Sequence, residues 1–311
     1  MMAKKRILTF LFLSIGFVLK AQEGTHFSQG IFNQAFVNPA YAGSAGLFQA
    51  TGVVRMEMTG FEKNPRTTVL NVNGPIDVLH GGINLSIYND QLGYYKTPGV
   101  SIGYAFRFPL WNGSLSFGLS GGFLNTSIDN SSWRQPDGSA GSGDPAIPTK
   151  EDGATSPDFG FGAYYNDDKL FIGLSCMHLL ETKLTKTALE SKLPRVYYLM
   201  AGYRFVFNDP NFDVRPSLYV STDLSIAHYT ANVHVFYRNR LWGGLSYRLN
   251  EAIIGNIGFE LFKGVKVGYS YDFITTKARK GAKGSHEILV NYNFTISTEK
   301  KKQQYRSVRY L

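Results

Sequence analysis

The chain has 311 residues, enough for one large all-β barrel or two ordinary domains. With 33 Gly, 23 Phe and 19 Tyr against a charged fraction of 18%, its composition is not that of a helix-rich protein, and so many aromatics exclude a disordered chain. The formal net charge of +9 implies no nucleic-acid surface: Lys4, Lys5, Arg6 and Lys20 carry four of the charges, residues 295–311 carry a net four more, and about +1 remains between them.

Residues 1–21 read as a secretory signal peptide: Lys4, Lys5 and Arg6 precede an apolar run over residues 7–19, with Ala21 before the expected cut. Leu19 departs from the pattern, since a small residue usually stands there. No other stretch is apolar enough for a spanning helix. An exported chain of this kind is either a secreted β protein or an outer-membrane barrel. Its single cysteine, Cys176, forms no internal disulfide, so stability has to come from sheet closure and burial.

Residues 22–47 differ from everything after them. From Thr25 to Gly46 there is no Asp, Glu, Lys or Arg, yet Phe27, Phe32, Phe36 and Tyr41 are present, and Asn38-Pro39 should stop any short helix begun near Ser28. Aromatic, uncharged, amide-bearing sequence suits a wide, wet cavity better than lipid. It predicts a plug in the periplasmic end of a barrel lumen, the alternative being a first strand with a loose lead-in.

From Phe48 onward the spacing predicts about fourteen strands, near residues 48–58, 66–74, 80–89, 97–108, 113–125, 157–166, 169–178, 195–207, 212–224, 229–238, 241–249, 253–262, 265–274 and 285–295. In the last, Ile288, Val290, Tyr292 and Phe294 fall on one face and Glu287, Leu289, Asn291 and Asn293 on the other, the period of two of a strand between oil and water. Elsewhere too one face is large and oily. The other is small or charged and takes Arg107, Arg204, Arg248, Lys266 and Asp272, the candidate lumen-facing charges.

An open edge in a membrane would strand backbone N–H and C=O groups, so the last strand must meet the first. The fold class expected is all-β: a transmembrane antiparallel β-barrel of about fourteen strands over residues 48–295, in the outer membrane with both termini periplasmic. Even-numbered connections should then be tight and odd-numbered ones longer, a rule that short odd connections near residues 225–228 and 250–252 follow unevenly. The longest loop, residues 126–158, is acidic and the loop at residues 275–284 is basic. The two either attract each other across the barrel mouth, recruit a partner, or simply solubilise the mouth.

Chemistry is sparse. His26, His80, His178, His228, His234 and His286 show no zinc-site spacing, and there is no HExxH, CxxC or Gly-x-Ser-x-Gly. An Asp-rich run over residues 137–144 lacks the EF-hand pattern. No catalytic residue, cofactor or metal is assigned, and a non-catalytic protein is expected.

Six stretches together resemble the PorP/SprF family of type IX secretion and gliding-motility membrane proteins: HFSQGIFNQAFVNPAYAGS at residues 26–44, TGFEKNPRT at 59–67, GGINLSIYNDQLG at 81–93, GYSYDF at 268–273, GSHEILVNYNF at 284–294 and YRSVRYL at 305–311. The resemblance implies an outer-membrane fixture that binds periplasmic secretion-machinery components or holds a secreted surface protein, such as an adhesin or effector. On the bottom-up reading, the basic tail, residues 296–311, cannot join the closed sheet and hangs in the periplasm. There Lys300, Lys301, Lys302, Arg306 and Arg309, with Tyr305, Tyr310 and Leu311, would dock an acidic or peptidoglycan-associated partner. A disordered stub is the plainer alternative. A channel for small or hydrophobic solutes is the rival function, since about fourteen strands exceed the eight that side chains alone fill.

Overall fold

The computed structural model describes residues 26–128, 152–181 and 193–296. Its strands are β1 (Phe48–Met56), β2 (Arg66–Ile76), β3 (Gly81–Leu92), β4 (Tyr95–Leu110), β5 (Gly113–Ile128), β6 (Asp152–Asn166), β7 (Leu170–Met177), β8 (Val196–Tyr203), β9 (Phe205–Val206), β10 (Phe212–Thr222), β11 (Ala227–Tyr237), β12 (Leu241–Arg248), β13 (Ala252–Phe262), β14 (Val265–Ile274) and β15 (Ser285–Phe294). β8 and β9 both pair with β10 on either side of Arg204, so they share one position and the wall has fourteen. Each neighbour in chain order is antiparallel, and β15 returns to pair with β1 from Phe48↔Phe294 to Met56↔His286. Closure leaves the sheet no free edge, as a membrane requires.

Alternation decides which face meets lipid. Ile102 and Leu245 point outward, 65% and 69% exposed, whereas Arg55 and Glu287 point inward and are 1% and 0% exposed. The β15 pattern follows its prediction: Ile288, Val290 and Tyr292 are exposed, while Glu287, Leu289 and Asn291 are buried. Among the described residues no helix is long and apolar enough to cross a membrane.

The connections sort by end. On the side where β1 begins and β15 finishes lie residues 77–80, 111–112, 167–169, 207–211, 238–240 and 263–264, all short. The opposite end carries residues 57–65, 129–151, 178–195 and 275–284, together with three tight turns at 93–94, 223–226 and 249–251. The turn at 93–94 is tighter than expected because β3 and β4 run on to pair Leu92 with Tyr95. The acidic loop is likewise shorter than the span of residues 126–158 expected for it. β5 and β6 stay paired as far as Ile128↔Asp152, which puts Asp158 inside β6, buried and 3.0 Å from His178. The remainder of that loop, residues 129–151, whose attraction to the basic loop was expected, lies outside the described residues. The basic loop pairs with its neighbour across the closure: Thr59 N–H donates to Gly284 O at 2.8 Å, and Lys283 N–H to Thr59 O at 2.5 Å.

Before β1 the chain forms short turns, 3-10 at Gly30–Phe32, one α-turn at Gln34–Val37 and 3-10 again at Pro39–Tyr41. The expected stop at Asn38-Pro39 occurs, with the Asn38 side chain accepting from Ala40 N–H at 2.9 Å. This segment is not confined to one end of the lumen. His26 stacks on His228, at the start of β11 beside the turn 223–226, whereas Ala42 reaches Arg107 near the end of β4. The segment therefore runs the length of the barrel interior, and His26 and Phe294 lie at opposite ends. The expectation that it packs at the same end as the C-terminal strand end is corrected accordingly.

Candidate functional site

The lumen is lined by small and polar side chains, and residues 26–44 are fastened to it at three levels. At the end holding His26, Glu287 accepts the backbone N–H groups of Ser28 and Gln29, both at 2.8 Å. The Arg55 guanidinium donates to Ser28 Oγ (2.7 Å), Glu57 (2.8 Å), Asp272 (2.8 Å) and Glu287 (3.2 Å). Ser28 Oγ in turn donates to Asp272 at 2.6 Å, and Arg248 reaches the same carboxylate at 3.2 Å. A buried charge is tolerated only when paired and hydrogen-bonded, and Arg55, Glu57, Asp272 and Glu287 all are.

Midway along the lumen the segment docks through its own amides and carbonyls. Asn38 Nδ2 donates to the carbonyls of Ala163 (3.1 Å) and Leu174 (3.3 Å), Ser175 Oγ to Val37 O (2.6 Å), and Asn84 Nδ2 to Ala35 O (3.1 Å). The wall thins to make room: a Cβ at Gly118 would land on the backbone of Pro39 and Ala40. At the far end Arg107 donates to Ala42 O (2.8 Å), Asn73 accepts from Gly43 N–H (3.3 Å), and Tyr41 donates to Gln49 (3.0 Å).

The aromatics fill what the polar contacts leave. Val53, Val69 and Leu289 are inward-facing and apolar, and form a buried patch that receives Phe27, Phe32 and Phe36. Phe36 meets Phe27 and Tyr88 edge-on, at ring centroid distances of 5.6 and 5.5 Å, and Phe32 lies 4.8 Å from Trp242. Val37 and Ala40 pack with Tyr164 and Met200, against which Tyr41 also lies. All six residues singled out in the segment, Phe27, Phe32, Phe36, Asn38, Pro39 and Tyr41, are thus inside the barrel.

The five charges assigned to the inner face divide into groups. Arg248 and Asp272 belong to the Arg55 cluster, and Arg107 holds the segment's exit. Arg204 pairs with Asp213 at 3.0 Å and lines, with Arg215 and Lys266, a vestibule of ≈ 310 Å³ at the end where β15 finishes. Lys300, Lys301, Lys302, Tyr305, Arg306, Arg309, Tyr310 and Leu311 lie outside the described residues, as does the signal sequence.

Sequence reading missed Arg55, Glu287 as an anchor, Ser28, and the Asp213–Arg215 pair at 2.5 Å. A signal existed for Arg55, since it continues the inward parity of Thr51 and Val53 in an otherwise uncharged strand. Nothing in the spacing of His26, His228 and Glu251 suggested a set, yet the fold brings their donor atoms within 4.8 Å of one another.

A closed antiparallel wall with an oily exterior, a polar interior and a segment of its own chain in the lumen defines an outer-membrane β-barrel. The family described as "Type IX secretion system membrane protein PorP/SprF" matches residues 19–292, and the chain belongs to it. Among solved structures it is similar to the Ralstonia pickettii toluene transporter TbuX (11% identity, TM-score 0.48, 84% of this chain and 92% of that one). It is also similar to the P. putida toluene transporter TodX (12%, 0.46, 85% and 95%) and the Acinetobacter baumannii outer membrane protein Omp33 (11%, 0.45, 80% and 98%). No curated protein sequence matches.

Proposed function

We propose that the protein is a non-catalytic fixture of a type IX secretion or gliding-motility system. Residues 22–47 plug the barrel, which anchors periplasmic machinery or holds a secreted surface protein. The observation that carries this reading is the fastening of Ser28 and Gln29 to Glu287, at the head of a segment that occupies the lumen from end to end. A barrel filled in this way is suited to holding partners at its rims rather than passing solutes.

The end carrying only short connections is assigned to the periplasm, because bacterial barrels keep their tight turns there. The tail after Phe294 then hangs on the periplasmic side and presents residues 300–311, with their cations and tyrosines, to an acidic or peptidoglycan-associated partner. His26 lies toward the cell exterior. Deleting residues 300–311 is expected to leave the barrel folded while a co-purifying periplasmic partner is lost, and unchanged partner recovery refutes the tail's role. Steady open channels formed by the intact mature protein in planar bilayers would favour solute transport instead.

A further inference from the structure

Where the segment enters the barrel, His26 and His228 stack with ring centroids 4.7 Å apart and planes 29° from parallel. His228 Nδ1 is hydrogen-bonded to Glu251 Oε1, and Glu251 Oε2 faces Arg248 Nε at 3.9 Å. His26 Nδ1 is buried and has no hydrogen-bond partner. The three donors come from separate places: the N-terminal segment, the start of β11, and the β12–β13 turn. We propose that His26, His228 and Glu251 form a binding site for a divalent cation of the zinc class, which staples the N-terminal segment to the barrel wall.

Two imidazoles and one carboxylate are the donor set borderline cations prefer, and three protein ligands leave a position open for water. Ligands around zinc stand about 3.4 Å apart when metal–ligand bonds are about 2.1 Å, so donors already within 4.8 Å need only side-chain rotation to close on the ion. Arg248 Nε stands 3.9 Å from Glu251 Oε2 and fits the outer-shell part, while an ion would take the place of the hydrogen bond between Glu251 Oε1 and His228 Nδ1. Beside the histidines lies a cavity of ≈ 40 Å³ that Tyr219 also lines, its buried hydroxyl without a partner. That is room for water at the open position. The buried ion-pair network beside the site sets the guanidiniums of Arg55 and Arg248 against the carboxylates of Glu57, Glu251, Asp272 and Glu287, so a carboxylate is on hand to balance an added cation.

The staple rests on the segment being seated in the lumen, and the test separates the two. Mature protein without a polyhistidine tag, purified from outer membranes and stripped with EDTA, is titrated with Zn2+ alone. Co2+ absorption reports the ligand set, and heat-modifiable migration confirms the barrel. One Zn2+ per chain is expected. His26→Ala and His228→Ala should each weaken binding by more than about a hundredfold, beyond the roughly 10–100-fold cost of disturbing an outer-shell partner, with His286→Ala unchanged. Zn2+ should also slow thiol labelling of an Ala35→Cys variant, in which Cys176 is replaced by Ala, and lose that effect when His26 is Ala. Absent binding, or equal binding by the His26→Ala/His228→Ala double variant, overturns the site. If labelling of Ala35→Cys is slow with or without metal, the segment is seated and only the staple falls.

Discussion

Replacing Glu287 with Ala tests what seats the N-terminal segment. The carboxylate receives two backbone N–H groups, from Ser28 and Gln29, at 2.8 Å each, in a site with no solvent exposure. Hydrogen bonds to a charged group contribute about 1.5–3 kcal/mol apiece, so their loss weakens seating by about 3 kcal/mol at the low end. That is roughly a hundredfold in the open-to-seated ratio. Arg55 keeps Glu57 and Asp272, so the replacement strands no charge, and the β1–β15 ladder that closes the wall is made by backbone groups. The assay is labelling of Ala35→Cys by a bulky maleimide in detergent, with Cys176 replaced by Ala. Ala35 is buried when the segment is seated, so the rate follows the open population. About a hundredfold faster labelling is expected for Glu287→Ala, and a smaller rise for Glu287→Gln, which keeps one acceptor oxygen. An unchanged rate in a barrel that still migrates as folded refutes the role given to these two bonds.

Gly118→Val puts branched carbon onto the backbone of Pro39 and Ala40 and should expel the middle of the segment, raising Ala35→Cys labelling while the wall stays folded. Deleting residues 26–46 should turn a non-conducting barrel into one with steady conductance in planar bilayers, and a silent barrel after deletion would count against the plug. Ile102→Arg places a charge on the lipid face midway along β4 and should destabilise the barrel by about 2–4 kcal/mol in urea unfolding from vesicles, and a neutral result would contradict the lipid-facing assignment. Removing residues 300–311 should leave that unfolding transition in place and abolish recovery of a periplasmic partner.

The strands were legible because their signal is local. Ile288, Val290 and Tyr292 face lipid and Glu287, Leu289 and Asn291 face the lumen for a reason that needs only the two-residue period. The unusual character of residues 25–46 was legible too, since a charge-free run with four aromatics fits neither lipid nor open water. Its path was not. The contacts that set it join Ser28 to Glu287 and Asn38 to Ala163, and no spacing within the segment encodes partners so far away. The loop boundaries failed for a related reason: residues 152–156 look like linker in composition, yet pairing with β5 extends the strand through them.

Composition and the two-residue alternation by themselves determined a membrane-facing barrel of about fourteen strands, because a strand's exposure pattern is written in adjacent residues. The tertiary structure alone decided which strands meet to close the wall, that the N-terminal segment traverses the whole lumen, and that Arg55, Asp272, Glu287 and Ser28 form one cluster while His26, His228 and Glu251 form another. Those groupings join residues up to 259 positions apart in the chain, and only the closed wall brings them within bonding distance.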